Sequence, residues 1–354
     1  MALESSITGG DAVQQCSILT LMAHVKWRGG DSATALVFGR DAQRLAYQTT
    51  NLLEASRAST VIALALIFLG DYAGSITQLH NARELLRVCG MGDSDSDLHN
   101  AIAQARVHLH KSEYAEARAI HTQLLQDSAN TPGAPSRGYA LLNIAMVDVA
   151  IDAGRDIVEK SLQMANKIFA EAEYIFAMAY SDLISADLDI AEGKTALAEA
   201  HFQKCLRLSW GKDIEAVMYC LERLADVTRR PFNFPAKMRW TMVYLCQGHK
   251  LRDKLAFYKA LLSIGELFIN EDEARAHTLF IVALEGFTFM DVHRSRAQCM
   301  LQLGDVAKGK GETTKAAEFW GTARPLFERS LQMKDVAAID MRLGTLEQDH
   351  QKSG

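Results

Sequence analysis

The chain has 354 residues, enough for two ordinary domains or one elongated array, and is 49% hydrophobic and 23% charged, as a folded globular protein is. Its five prolines, against the roughly eighteen that average usage predicts, argue with abundant alanine and leucine for helix nearly throughout. The formal net charge of −5 lacks the basic excess of a nucleic-acid binder, and the longest apolar run, "VIALALIFLG" from Val61 to Gly70, is only half a membrane span.

Turn signals divide the chain in order. "RGGDSATAL" turns at Gly30, "LGDYAGSI" at Gly70, "HKSEYAEAR" at Ser112, "DAGRDIVEKSL" at Gly154 and "AEGKTALAEA" at Gly193. "INEDEARAH" then turns near Glu271 and "GKGETTKAA" at Gly311. The spacing is 40, 42, 42, 39, 78 and 40 residues, and the 78 is two periods. The missing turn falls near Phe232, in "RRPFNFPAK", where Pro231 and Pro235 replace glycine as helix breakers. After each turn a small residue is followed by apolar positions at helical steps, as in Ala198, Phe202, Cys205 and Leu206 or Ala316, Trp320, Ala323 and Leu326. Each unit is therefore a helix, a tight turn and a second helix, and only stacked neighbours can bury its apolar face. The pattern predicts an all-α chain forming one domain. Residues 1–12 are an N-terminal segment, 13–334 hold eight hairpins, and 335–354 a capping helix, from about Val336 to Gln348, and tail.

These units resemble the tetratricopeptide repeat (TPR). Gly304, Gly311, Ala316, Trp320 and Ala323 sit at that motif's characteristic positions, as do Gly70, Tyr72 and Ala82, and Gly193, Ala198 and Phe202. The period is nearer 40 than the repeat's 34, which implies longer helices or connectors. Several units also lack the glycine on the first helix, carrying Ala63, Ala105, Val147 or Ala186 there. The run from Thr278 to Ser330 also resembles repeat arrays of mushroom-forming fungi, some standing alone and some following a nucleotide-switch ATPase. The resemblance implies a right-handed α-superhelix whose first helices line a concave groove.

Residues that suggest chemistry have structural explanations. GxxxxGK[ST] is absent, and "EGKT" at Glu192–Thr195 is a repeat turn, so a phosphate loop is not expected. "GDSDSDLH" begins like a calcium loop, but Leu98 and Gln104 stand where glycine and glutamate belong, and a helix start welcomes acidic residues anyway. His108 and His110 are two apart and so diverge on a helix, unlike a zinc-binding i, i+4 pair. "SDLISADLDIAEG" carries Asp182, Asp187 and Asp189 without the DDxxD of an isoprenoid cyclase. His293, Arg294 and Arg296 lie at a hairpin joint, where solvated charge is expected. The six cysteines form no CxxC and read as reduced core thiols. "MALESSITGGDAVQQ" shows no secretory pattern. The expectation is a cytoplasmic protein without metal or cofactor.

In TPR proteins the residues six and three before each turn face the groove. By that resemblance the binding residues are Arg106, Asp148, Ile151, Asp187, Ile190, Asp305 and Lys308, beside Leu64, Ile67, Trp27 and Leu109. The aspartates would repel a peptide C-terminal carboxylate, so a basic or amphipathic helical peptide fits better. The resulting expectation is a protein-interaction scaffold that takes a protein or peptide partner and neither nucleic acid nor membrane. The rival expectation is an enzyme or small-molecule binder with an enclosed groove. A weakly capped first hairpin would also offer an edge for homodimerisation.

Overall fold

The computed structural model describes residues 11–92, 94–127, 135–227 and 234–353. They form seventeen helices and no strand. In chain order these are α1 (Ala12–Arg28), α2 (Ser32–Gln48), α3 (Leu52–Phe68), α4 (Tyr72–Val88), α5 (Asp95–Lys111) and α6 (Tyr114–Asp127). They continue as α7 (Pro135–Ala150), α8 (Arg155–Glu171), α9 (Ile175–Ala191), α10 (Thr195–Ser209), α11 (Ile214–Val227) and α12 (Phe234–Leu251). The last five are α13 (Lys254–Phe268), α14 (Glu273–Met290), α15 (His293–Gly309), α16 (Thr313–Arg329) and α17 (Met333–Ser353). Eight hairpins pair each odd helix with the next even one, and α17 closes the array. The closing helix is longer at both ends than the sequence pattern indicates. The turn expected near Phe232 lies outside the described residues, as does most of the arginine- and proline-rich stretch around it.

The 40-residue period is two helix-plus-turn units of about 20. Helix after helix is 17 residues long, about 25 Å at 1.5 Å per residue. Most then end on a residue in the left-handed region. Inside hairpins this is Gly30 (φ 83°), Gly70 (72°), Ser112 (62°), Asp152 (60°), Gly193 (79°) or Gly311 (78°). Between hairpins it is Thr50, Gly90, Glu173, Gly211, Arg252, Asp291 or Leu331. The residue that follows donates its N–H five residues back, as Asp31 does to the Lys26 carbonyl (2.9 Å) and Asp253 to Gly248 (2.8 Å). This satisfies carbonyls a helix end would leave bare. Aspartates then start the next helix: Asp31, Asp71, Asp253 and Asp272 each accept the N–H three residues on. Only half of these stops carry glycine, so a glycine-based reading sees only part of the punctuation.

Odd helices pack against odd helices, and fully buried alanines such as Ala42, Ala46, Ala55 and Ala58 let neighbouring helices approach closely. The right-handed superhelix completes more than one turn, so its successive turns touch. A methyl on Gly30 would lie 2.5 Å from the Leu251 side chain, and one on Gly70 2.8 Å from Met290 Sδ. The tip of hairpin three meets the start of α15 through Glu113 and His293 (3.1 Å). Gln332, just before α17, donates to the Ala150 carbonyl at the tip of hairpin four (2.8 Å). One apolar cluster spans this seam, joining Ala63, Ile67 and Leu79 to Leu255, Phe280 and Leu303. No helix of the described residues is long and apolar enough to cross a membrane.

Candidate ligand-binding lumen

Closing the superhelix on itself converts the concave groove into a lumen of about 2130 Å³. Its wall comes almost wholly from odd helices. The residues follow helical steps on each: His24 and Trp27 on α1, Arg57 and Leu64 on α3, His99 and Arg106 on α5, Tyr139 and Met146 on α7, Tyr180 and Asp187 on α9. The second half adds Glu215, Tyr219, Glu222 and Asp226 on α11, Lys259 and Glu266 on α13, and Arg294 and Gln298 on α15. Six tyrosines reach it: Tyr114, Tyr139, Tyr174, Tyr180, Tyr219 and Tyr244.

The lumen's charges are largely paired across helices. Arg106 meets Glu215 at 2.5 Å, joining hairpins three and six. Arg223 lies 3.0 Å from Asp187 and stacks over the Tyr219 ring, whose hydroxyl also donates to Asp187. Lys259 reaches Glu222 at 2.7 Å, and Tyr244 donates to the same carboxylate (3.2 Å). Tyr180 donates to Asp213 (2.9 Å), which caps the start of α11. Burial opposes the charged form of Glu222, but Lys259 and Arg223 outweigh it and hold the carboxyl down to about 2. At Asp187 burial wins over Arg223 and the carboxyl is raised. Burial likewise raises Asp253 to about 6 and drives His110 down to about 3. The wall is therefore a set of fixed, oppositely charged pairs among tyrosine hydroxyls, which suits recognition of polar chain groups.

Three of the seven residues read from the sequence, Arg106, Asp187 and Ile190, line this lumen. The other four are engaged elsewhere. Asp148 is 1% exposed and bound to Arg118 of α6 at 2.9 Å. Ile151 packs with Leu331 in the seam. Asp305 holds Arg342 of α17 at 2.9 Å, and the Lys308 ammonium sits over the Trp320 ring. The reason for the first two is local: the left-handed residue that ends α7 is Asp152, whereas Gly154, also at positive φ, stands at the start of α8. Counting six and three back from Asp152 gives Met146 and Val149, and both face the lumen. The last two are held by the helices that follow α15, Asp305 by Arg342 of α17 and Lys308 by Trp320 of α16. The lumen residues of α11, among them Glu215, Tyr219, Glu222 and Asp226, were missed altogether. Their signal was present, since six residues before the expected turn at Phe232 stands Asp226.

The joint at His293 is also not as expected. His293 is 1% exposed and buried in the seam. Its Nε2 and the His108 Nδ1 (2.7 Å) contact the Glu113 carboxylate, which also binds Lys111 (2.8 Å) and Arg329 (3.1 Å). Burial opposes the charge on Glu113, yet the bonds from His108, His293 and Lys111 prevail and hold its carboxyl well below the ordinary range. Glu113, Asp291 and His293 are spaced as metal ligands could be. However, the Lys111 ammonium lies 2.8 Å from Glu113 and 3.0 Å from Asp291 and already supplies the cation. In the aspartate-rich stretch, Asp97 is bound to Arg83 at 2.8 Å, while Asp93 lies outside the described residues.

No protein-family model matches the chain, and no curated protein matches it. Solved structures do. A Rap protein complexed with competence and sporulation factor superposes with a TM-score of 0.56 at 9% identity, over 96% of this chain and 99% of that one. NprR in complex with its cognate peptide NprX gives 0.57 at 13% identity, over 88% and 89%. At these identities the likeness concerns the fold, and the fold it assigns to this chain is that of the TPR-like helical repeat proteins.

Proposed function

We propose that the chain is an interaction adaptor that holds a peptide or helical segment of a protein partner in its lumen, without catalysing a reaction. The observation that carries this is the size and lining of the lumen. At about 2130 Å³ it exceeds the roughly 300–1,000 Å³ of small-molecule pockets, and its polar groups lie along the lumen on eight helices instead of converging on one point. The two similar structures, determined with a sporulation factor and with a cognate peptide, support the same reading. So does the pairing of acids with bases along the wall, which leaves the groups positioned for recognition. The acidic lining disfavours nucleic acid. Given the fungal arrays it resembles, the adaptor would act in the cytoplasm, alone or beside a nucleotide-switch ATPase.

One observation favours a second reading. Asp187, Tyr219, Arg223, Glu222 and Lys259 do converge locally in an enclosed space, as in a small-molecule site. Native mass spectrometry after exposure to a low-molecular-weight cell extract separates the two. The adaptor reading expects an adduct that fragments as a peptide and disappears in Ser263→Trp, which projects an indole into the middle of the lumen from α13. An adduct that does not fragment as a peptide favours the second reading. If wild type retains nothing, or Ser263→Trp retains as much, neither lumen reading stands.

A further inference from the structure

The lumen's charge has a direction. Among the described lining residues there are eight carboxyl groups, of which burial raises Asp187 and Asp253, against six lysine and arginine side chains. Two of the three histidines beside them, His24 and His110, do not restore the balance, since burial lowers His24 and takes His110 to about 3. The excess is concentrated on one helix. Glu215, Tyr219, Glu222 and Asp226 follow one another along α11 at steps of four, three and four, which is a single helix face. Asp226 at the far end is 44% exposed and its nearest cation, Arg223, is 3.9 Å away and already committed to Asp187. Glu215 at the near end is met by Arg106 through one oxygen, and a carboxylate offers further acceptor sites. The two ends are eleven residues apart, about 16 Å along a helix. In an extended chain, side chains four residues apart lie on one face about 13 Å apart, and the reach of two long cationic side chains covers the remainder.

We propose that the lumen is selective for a short extended peptide with two cationic side chains four residues apart, and so on one face of the peptide, one docked at Glu215 and the other at Asp226. The tyrosines between them, Tyr219 foremost, take the intervening peptide backbone and apolar side chains. The inference rests on the peptide-binding reading and deepens it. A confined space with this acidic face along one wall attracts such a partner and rejects an acidic one.

Three equimolar heptapeptide mixtures test this, randomised at five positions and fixed at the first and fifth as lysine, glutamine or glutamate. Each is passed over immobilised full-length chain, and retained peptide is quantified by mass spectrometry. Lysine peptides should be retained about tenfold more than glutamate peptides, with glutamine peptides between. Asp226→Lys should remove most of that preference, whereas Glu318→Lys on the outer helix α16, an identical change in net charge, should leave it intact. Equal retention of all three mixtures, or a glutamate preference, overturns the charge inference. If that retention is still lost in Ser263→Trp, the peptide-binding reading survives. No retention of any mixture overturns both. Loss of preference in Glu318→Lys as well would show a general charge effect and also overturns the inference.

Discussion

The seam that makes the lumen should depend on Glu113, and Glu113→Gln tests it with little change in shape. The carboxylate is 5% exposed and gathers His108, Lys111, His293 and Arg329 from two successive superhelical turns. Glutamine keeps one acceptor oxygen, removes the charge and turns an N–H donor toward cations. Breaking a buried ion pair from one side costs about 3–5 kcal/mol. Here the lower end applies, about 3 kcal/mol, because Lys111 retains Asp291 and Arg329 is 54% exposed. Urea unfolding measures the loss, and hydrogen exchange locates it. Amides near Ser112–Tyr114 and Asp291–Arg296 should lose protection, while those of α8 and α10 should not. The sign with pH follows from the depressed carboxyl. Its stabilisation is full above the ordinary glutamate range and is lost as pH falls through the folded value, so wild type should weaken with acid and Glu113→Gln should show a flatter acid limb. A variant within about 0.5 kcal/mol of wild type, with unchanged exchange at both sites, would refute the claim that this cluster closes the superhelix.

Two further outcomes can be checked independently. Gly304→Ala gains about 1 kcal/mol of helix propensity, but its methyl would lie 2.4 Å from the fully buried Trp320 ring. The net result should be a loss of about 1–2 kcal/mol, read by urea unfolding together with a shift in tryptophan emission. Burial raises Asp253 to about 6 from 3.8, so the folded state holds its proton longer than the unfolded chain. Stability should therefore fall as pH rises from about 4 to about 6 and then level off, and Asp253→Asn should remove that component of the pH–stability curve.

Much of the architecture was legible in the sequence because helical repeats write their period in turn residues and small–aromatic spacings. The eight hairpins and the closing helix follow from that pattern, and the placing of first helices on the inner wall follows from the resemblance to TPR units. The side chains facing the lumen were less legible, for two physical reasons. A helix face is set by the residue at which the previous turn of backbone stops, and at hairpin four a two-residue error, Gly154 for Asp152, rotates the reading by about 200°. That put Asp148 on the wrong face, against Arg118 instead of the lumen. The seam was invisible because its partners are nearly 180 residues apart, and no local pattern marks Glu113 and His293 as neighbours. His293 therefore read as a solvated joint residue although it is buried.

The contact between successive superhelical turns also constrains how such a chain can change its length. An open solenoid tolerates gain or loss of a unit, because each unit touches only its neighbours. Here the tips of hairpins one to four are matched to particular junctions about five hairpins later: Gly30 to Leu251, Gly70 to Met290, Glu113 to His293 and Ala150 to Gln332. Duplicating or deleting one hairpin between them would shift every one of these matches by a whole unit at once. The repeat number is thus locked by a vernier, and the array behaves as a closed body of fixed count although it is built from interchangeable parts.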